Sequence, residues 1–161
     1  LLEREDVRVT EKAIRTALRT VRHPARFEIL ANEGVPVVID GAHNPAGMRA
    51  LRMGLDTYFP DLPRVFLLGI LKDKDIDTML AALLRPGDQV VTVRPNSERA
   101  AAADVVAAVA AGMGLVTVAC DDRAKGLDEA VRRAHVRSAL LVVAGSLYLV
   151  GDIRAMLTAG R

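Results

Sequence analysis

The chain has 161 residues, of which 51% are hydrophobic and 26% charged, a balance typical of a globular domain and unlike that of a disordered chain. Its 22 basic and 20 acidic residues give a net charge of +2, and only 3% of residues are aromatic. These figures argue against a nucleic-acid-binding protein, which would need a basic stripe or aromatic stacking platforms.

The sequence also argues against membrane and secreted proteins. No apolar stretch approaches the ~20 residues that a membrane span needs, and the charged N-terminus does not resemble a signal peptide. The single Cys120 cannot form an internal disulfide, so we expect a reducing, cytoplasmic compartment. Because Cys120 ends an apolar run, we expect its thiol to be buried and unreactive.

The hydrophobic pattern predicts one helix, a β-hairpin and then a regular alternation. Ile14, Leu18 and Val21 recur at helical spacing after Thr10, a residue suited to begin a helix. Two short apolar runs on either side of Gly34 indicate the hairpin. The predicted elements are helix 11–21, strands 27–30 and 35–39, helix 46–59, strand 65–70, helix 76–84, strand 89–93, helix 97–112, strand 115–120, helix 123–135, strand 139–144 and helix 147–157.

The composition of the strands indicates how they pack. Strands 65–70, 90–93 and 140–143 are continuous apolar runs, which is typical of strands that helices cover on both faces. Short connections between strands and helices favour right-handed crossovers. We therefore predict an α/β three-layer sandwich with a Rossmann-like, mostly parallel six-stranded sheet, whose one antiparallel strand comes from the N-terminal hairpin.

Ligands of such sheets bind beyond the carboxyl ends of the strands, and there the sequence places polar groups. Asp40, His43 and Asn44 directly follow strand 35–39. A carboxylate suits a ribose diol or a metal ion, and an imidazole can donate to a phosphate. The alternative is that Asp40 only ends the strand and Asn44 only caps the next helix.

Two other strand ends carry groups suited to an anion. Lys74 follows strand 65–70, and Ser146 follows strand 139–144 and opens a helix whose free N–H groups can hold a carboxylate. A solvated charge cluster and a simple helix cap are the alternatives, and Asp75 is expected to cap the helix after Lys74. No phosphate loop, dinucleotide fingerprint or metal-ligand spacing occurs, so we assign no catalytic residue and no metal ligand to the chain.

Four motifs occur in a fixed order along the chain: Pro24-x-Arg26-Phe27-Glu28, Asp40-Gly41-Ala42-His43-Asn44-Pro45, Asp73-Lys74-Asp75 and Gly145-Ser146-Leu147-Tyr148. Together they resemble the C-terminal domain of folylpolyglutamate synthase/dihydrofolate synthase, in the Mur ligase superfamily. Ala25 and His23 depart from the family, which usually has Gly and Trp there. The resemblance implies a Mur ligase C-terminal (glutamate ligase) domain at residues 23–161, preceded at 1–22 by a linker and the last helix of a central domain.

The resemblance also implies an activity for the whole protein. It would be a cytoplasmic, ATP-dependent ligase of folate and one-carbon metabolism that joins L-glutamate to a folate or dihydropteroate carboxyl group through an acyl phosphate. The phosphate loop and the Mg²⁺ ligands would lie in the N-terminal and central ATPase domains of the same polypeptide, so this domain alone is expected to be inactive. The implied ATP contacts are Arg26, Asp40 and His43, and the implied glutamate contacts are Lys74, Ser146, His43 and Asn44.

Two alternatives remain open from the sequence. Another Mur-type amide ligase, such as a peptidoglycan-precursor or cyanophycin ligase, resembles this chain at Ala42-His43-Asn44-Pro45 but typically carries Tyr where Gly41 stands. The other alternative is a stand-alone binding module that scaffolds a partner. A phosphate loop encoded upstream of Leu1 would favour a ligase, and a start codon near Leu1 would favour the module.

Overall fold

The computed structural model describes residues 9–21 and 23–159, so Arg22 and residues 1–8 of the predicted linker lie outside the described residues. The predicted alternation is confirmed, and at every element but one the bounds differ from the prediction by at most two residues. The elements are α1 (Glu11–Thr20), β1 (Glu28–Asn32), β2 (Val35–Ile39), α2 (Pro45–Tyr58), β3 (Arg64–Leu68), α3 (Ile76–Leu83), β4 (Gln89–Val93), α4 (Ala103–Gly112), β5 (Val116–Cys120), α5 (Arg123–Val136), β6 (Leu140–Ala144) and α6 (Leu147–Thr158).

The strands form one sheet in the order β1-β2-β6-β3-β4-β5. β1 pairs with β2 antiparallel, and the remaining neighbours all pair in parallel. This arrangement confirms the predicted six-stranded, mostly parallel sheet with one antiparallel strand from the hairpin. The last strand in sequence, β6, lies between β2 and β3, so it has a parallel neighbour on each side.

Helices cover both faces of the sheet, as the apolar strands predict. On one face α2, α3 and α4 pack against strand residues such as Val38, Phe66 and Val142. On the other face α5 and α6 pack against alternate residues of the same strands, such as Ile39 and Val143. All five residues of β6 are buried. None of the described helices combines the length and the hydropathy that crossing a membrane requires.

One boundary prediction is wrong, and the reason bears on the site. The helix predicted at 97–112 begins only at Ala103. The residues before it run antiparallel to the loop after β3, where the Lys72 N–H donates to the Arg99 carbonyl at 2.8 Å. Backbone groups committed to this pairing cannot join a helix, so the tertiary contact overrides the high helix propensity of the alanines.

Cys120 corrects a second expectation. The residue lies at the end of β5 and is partly buried, not fully buried as expected. β5 is the last strand of the sheet, so one of its edges has no neighbouring strand among the described residues. Burial still raises the pKa of the Cys120 thiol, which keeps the reactive thiolate scarce at neutral pH.

An ion-pair network, buried except at Asp56, joins α2 to the amino ends of β3 and β4. Arg52 on α2 pairs with Asp88, which precedes β4, through Nη1 and Oδ2 at 3.1 Å. Asp56 accepts from Arg52 Nε at 3.0 Å and from Arg64 Nη2 at 2.8 Å. Because a buried charge without its partner is strongly destabilising, these pairs hold the amino ends of β3 and β4 together. No local sequence pattern predicted this network.

α1 stands apart from the rest of the fold. Thr10 caps it, as predicted, by accepting the Ala13 N–H at 3.2 Å. None of its residues is buried, and Ile14 and Leu18 are 47% and 71% exposed. Among the described residues, those that line a groove of about 660 Å³ along the helix all belong to α1. The helix therefore adds no buried apolar area to the described fold.

Removal of α1 should leave the stability of the fold unchanged. A chain shortened to residues 23–161 is expected to unfold at the same temperature as the 161-residue chain, because no α1 side chain is buried. Circular dichroism during heating measures this. As a control, Ile153→Ala in α6 removes a fully buried side chain and should cost about 2–5 kcal/mol. A large loss of stability on shortening would show that α1 packs against the domain.

Candidate functional site

The carboxyl ends of β2, β6 and β3 lie side by side, and Asp40, His43, Asn44, Lys74 and Ser146 lie on the loops that follow these strands. We call the loops that follow these strands and β4, residues 40–44, 145–146, 69–75 and 94–99, the carboxyl rim. Backbone hydrogen bonds join the loops directly. The Gly145 N–H donates to the Ala42 carbonyl at 3.0 Å, and the Gly69 N–H donates to the Ala144 carbonyl at 3.3 Å.

The loops approach each other so closely that a side chain would not fit at Gly145. Its φ is +115°, and a Cβ there would lie 2.7 Å from the Gly69 carbonyl oxygen. Only glycine satisfies both the backbone conformation and the contact. The positive φ and the close contact explain why the first residue of the motif Gly145-Ser146 is glycine. The second residue, Ser146, directly precedes α6 and caps it.

Asp40 holds the rim to the segment that precedes β1. Its Oδ2 accepts the Phe27 N–H and its Oδ1 accepts the Ala42 N–H, both at 2.8 Å. An ionised carboxylate offers about four lone-pair sites, so roughly two remain. The structure therefore gives Asp40 a structural role and leaves capacity for ribose hydroxyls, a contact that stays a prediction.

Arg26 lies on that segment, next to the rim. The Gly41 N–H donates to the Ala25 carbonyl at 2.7 Å, which fixes the segment to the loop after β2. Ala25 and Phe27 both have positive φ, 62° and 46°. Such a conformation costs a residue with a Cβ roughly 1–2 kcal/mol. The Arg26 side chain is exposed, and within residues 9–21 and 23–159 its guanidinium makes no hydrogen bond or ion pair.

Glu28 and Arg154 form an ion pair beside this segment, and the sequence did not predict their pairing. Arg154 on α6 donates to Glu28 through two nitrogens, Nε at 2.8 Å and Nη2 at 3.0 Å. The Arg154 guanidinium holds the pKa of Glu28 below its usual value. The two residues are far apart in sequence, and the motif that ends at Glu28 does not indicate a partner on α6.

His43 is oriented by its own loop. Its Nδ1 lies 2.7 Å from the Gly41 carbonyl oxygen, which can only accept. Nδ1 therefore carries a proton, and Nε2 is left as an acceptor in the neutral ring and a donor in the imidazolium. The ring is half-buried. As an acceptor, Nε2 suits an amine N–H. As a donor, Nε2–H suits a phosphate oxygen.

Asn44 caps α2, as the alternative to a binding role predicts. Its Oδ1 accepts the Gly47 N–H at 2.7 Å, and Pro45 occupies the first position of the helix. An Asn at this position typically stabilises a helix by about 1 kcal/mol. The side-chain amide nitrogen is not used by the cap, so Asn44 can still donate to a ligand.

Lys74 lies at the end of β3 beside an ion pair that the sequence did not reveal. Its Nζ lies 3.6 Å from Oδ2 of Asp73, and Arg99 Nη2 donates to the same oxygen at 2.7 Å. The hydrogen bond from Arg99 is the main cause that lowers the pKa of Asp73. Because Arg99 takes the short contact, the half-buried Lys74 ammonium keeps donors for an anion. Asp75 caps α3, as predicted.

Ser146 is buried at the start of α6. Only 1% of the residue is exposed, and its Oγ accepts the Leu149 N–H at 3.2 Å. The hydroxyl hydrogen is still available to donate, and the first N–H groups of the helix have no partner within the helix. Ser146 is therefore a helix cap, and a contact with a carboxylate stays a prediction.

Beyond β4 and β5 the rim continues into an open cavity of about 460 Å³, whose lining includes Arg94, Ser97, Asp121 and Arg123. Among the described residues no three His, Cys, Asp or Glu side chains converge as a metal site would require. The structure brings Asp40, His43, Lys74 and Ser146 onto three adjacent strand ends, with Arg26 beside them.

The chain is similar in sequence to known proteins. Residues 25–147 match the family model described as "Mur ligase, glutamate ligase domain". A relative from Halobacterium salinarum, named a probable bifunctional folylpolyglutamate synthase/dihydropteroate synthase, is 37% identical over 98% of this chain. The chain spans only 19% of that relative.

Two solved structures show the same fold. Folylpolyglutamate synthase from Mycobacterium tuberculosis, complexed with ADP and AMPPCP, is 28% identical over 98% of this chain with a TM-score of 0.88. Folylpolyglutamate synthase from Thermotoga maritima is 31% identical over 99% of this chain with a TM-score of 0.78. This chain covers 37% and 36% of those two chains, so it corresponds to about a third of each.

Asp40→Asn should loosen the junction between the segment and the rim. Asn offers one carbonyl oxygen for the two amides that Asp40 accepts, so either Phe27 or Ala42 loses its acceptor. Loss of a hydrogen bond to a charged group costs about 1.5–3 kcal/mol, which predicts roughly 10- to 150-fold faster amide exchange there. Hydrogen exchange followed by NMR measures this.

Asp122→Asn is the matched control, because Asp122 accepts one amide at the start of α5 and Asn caps helices equally well. Exchange at Lys125 should stay as in the original chain. Unchanged protection of both Phe27 and Ala42 in Asp40→Asn would show that Asp40 does not hold the segment.

Proposed function

We propose, from the premise that this chain belongs to the Mur ligase glutamate ligase domain family, that it is the C-terminal domain of an ATP-dependent ligase that adds L-glutamate to a folate. The observation that supports the proposal is that Lys74 and Ser146, groups suited to a carboxylate, lie on the loops of the same rim as Asp40 and His43, groups suited to a nucleotide. The names of the relatives support folate as the class of acceptor.

The glutamate contacts are assigned to Lys74 and Ser146. β3 and β6 are hydrogen-bonded neighbours, so the two residues follow adjacent strands. Lys74 supplies a positive charge, and Ser146 supplies a hydroxyl together with the N–H groups that begin α6. A small amino acid with two carboxylates fits this pairing of a point charge with a helix N-terminus. Asn44 contributes the amide nitrogen that its cap leaves free.

The ATP contacts are assigned to Arg26, Asp40 and His43, on the side of β6 where β2 lies. The exposed Arg26 guanidinium can stack on an adenine ring or reach a phosphate. The unused lone pairs of Asp40 can accept from ribose hydroxyls. The complex of a relative with ADP and AMPPCP supports a nucleotide as the ligand.

His43 lies between the two sets of contacts. With its proton on Nδ1, a neutral ring presents Nε2 as an acceptor for the amine of the incoming glutamate. A protonated ring presents Nε2–H to a phosphate. The ring is therefore assigned to the place where the amine meets the acyl phosphate.

Gly41 favours a folate ligase over other Mur-type ligases, which typically carry Tyr at this position. A Cβ at Gly41 would lie 2.5 Å from Cδ2 of Leu147 and 3.3 Å from the Ala25 carbonyl oxygen. A side chain at this position would therefore require the exposed Leu147 side chain to turn away and the Ala25 carbonyl to shift by a few tenths of an ångström. The close packing of Gly41, Leu147 and Ala25 is the physical counterpart of that sequence difference.

The remaining parts of the reaction are assigned to preceding domains of the same polypeptide. The chain has no phosphate loop, and its described residues hold no cluster of carboxylates for Mg²⁺. Mg²⁺, when bound with ATP, neutralises phosphate charge and supports formation of the acyl phosphate. Closure of this domain on the others would exclude water, which otherwise hydrolyses that intermediate. The exposed α1 belongs, in this proposal, with the preceding domain.

The isolated 161-residue chain is expected to fold but not to ligate. It supplies contacts to ATP and glutamate without the groups that hold phosphate and metal. Phosphate release and the mass of folate products, measured beside the full-length protein as a positive control, test this. Turnover by the isolated chain at a rate near that of the full-length protein would contradict the proposal.

In the full-length protein, Lys74→Ala should raise the KM for glutamate and leave the KM for ATP nearly unchanged. Loss of a charge-assisted contact predicts an increase of about tenfold or more. Ser146→Ala should act in the same direction but less strongly, because the helix N–H groups remain. Titrations of glutamate and of ATP, on variants shown to be folded by circular dichroism, separate the two effects.

Lys125→Ala serves as the control, since Lys125 is exposed in the first turn of α5, beyond the edge strand β5. Both KM values should stay as in the original protein. If Lys74→Ala changes the ATP titration and not the glutamate titration, the assignment of Lys74 is wrong.

A further inference from the structure

The segment that carries Arg26 is held in a conformation that its own residues disfavour. Ala25 and Phe27, on either side of Arg26, both lie in the left-handed region, with φ of 62° and 46°. Residues with a Cβ stay there only where surrounding contacts impose it. Those contacts therefore decide the direction in which the Arg26 side chain leaves the backbone.

One of these contacts comes from Glu28, whose Oε2 accepts the Ala25 N–H at 2.9 Å. The carboxylate is itself fixed by Arg154, whose Nε donates to Oε2 at 2.8 Å and whose Nη2 donates to Oε1 at 3.0 Å. A two-point guanidinium–carboxylate pair sets both the position and the plane of the carboxylate. Glu28 cannot turn away from Ala25 without breaking both bonds to Arg154.

Arg154 brings α6 into contact with this segment. It lies about two helical turns beyond Ser146, which begins the helix at the rim. Leu147, in the first turn, packs beside Gly41, whose N–H donates to the Ala25 carbonyl. The N–H and the carbonyl of Ala25 are thus both fixed by groups that touch α6.

There is room for Arg26 to move if this pair is broken. A cavity of about 510 Å³ borders Arg26, Glu28 and Arg154, and its lining also includes His23 and Pro24. The Arg26 side chain is exposed, so the backbone of its segment is what directs it. A change in that backbone would change the direction in which the guanidinium points.

We propose that Glu28 and Arg154 are a positioning pair that fixes Ala25 and thereby aims Arg26 at the nucleotide. The proposal rests on the proposed function, since it takes ATP as the ligand of Arg26. Neither Glu28 nor Arg154 contacts the ligand; they act through the Ala25 N–H. α6, which Ser146 caps, would then both present the proposed glutamate contact and fix the orientation of Arg26, the proposed nucleotide contact.

The first arm of the test uses amide exchange in the 161-residue chain. Arg154→Met keeps an unbranched apolar side chain and removes the guanidinium, so Glu28 is released and Ala25 should exchange roughly tenfold faster. Arg132→Met is the matched control, because Arg132 makes a similar two-point pair with Glu129 on α5, at 2.8 and 2.7 Å. It should leave Ala25 unchanged. Equal protection of Ala25 in both variants overturns the proposal.

The second arm uses the full-length protein and the KM for ATP. Arg154→Met is expected to raise the KM for ATP roughly tenfold, with little change in the KM for glutamate. The effect is moderate because Arg26 is still present but no longer held in position. Arg154→Lys, which keeps one charged donor, should restore part of the loss. Arg132→Met should have no effect on either KM.

A double-mutant cycle decides whether Arg154 acts through Arg26. If it does, Arg26→Met together with Arg154→Met raises the KM for ATP no further than Arg26→Met alone. Additive effects would overturn the proposal. If the unmodified full-length protein shows no ATP-dependent ligation, the proposed function fails, and the exchange of Ala25 still decides whether the pair fixes the segment.

Discussion

The complete burial of β6 is the constraint on which the arrangement of the site depends. Its five apolar residues are covered by helices on both faces and flanked by parallel strands on both edges. A strand buried in this way cannot shift its register without exposing its side chains. The ends of β2, β6 and β3 are therefore held at one level, and the loops that follow them meet at the carboxyl rim.

The groups at this rim are oriented mainly by backbone hydrogen bonds. Two amides fix the Asp40 carboxylate, the Gly41 carbonyl orients the His43 ring, and the cap of α6 fixes the Ser146 hydroxyl. Groups oriented before a ligand arrives lose little entropy on binding, which favours a well-defined binding geometry. At the amino ends of β3 and β4 ion pairs are found instead, of which Arg52–Asp88 is buried, which suits a structural role.

Local patterns predicted the fold well because apolar periodicity and helix caps are local. The caps of α2 and α3 at Asn44 and Asp75 follow from sequence alone. The ion pairs Glu28–Arg154 and Asp73–Arg99, and the late start of α4, were not predictable in this way. Each depends on residues that are far apart in sequence and meet only after the sheet has formed.

A crystal structure of the full-length protein with a non-hydrolysable ATP analogue and L-glutamate tests the central claim most directly. The account predicts the nucleotide against Arg26 and Asp40, and a glutamate carboxylate between Lys74 and the start of α6 at Ser146. Both ligands would lie on the carboxyl rim, on opposite sides of β6. Glutamate bound away from Lys74 and Ser146, or a nucleotide that does not touch this domain, would contradict the account.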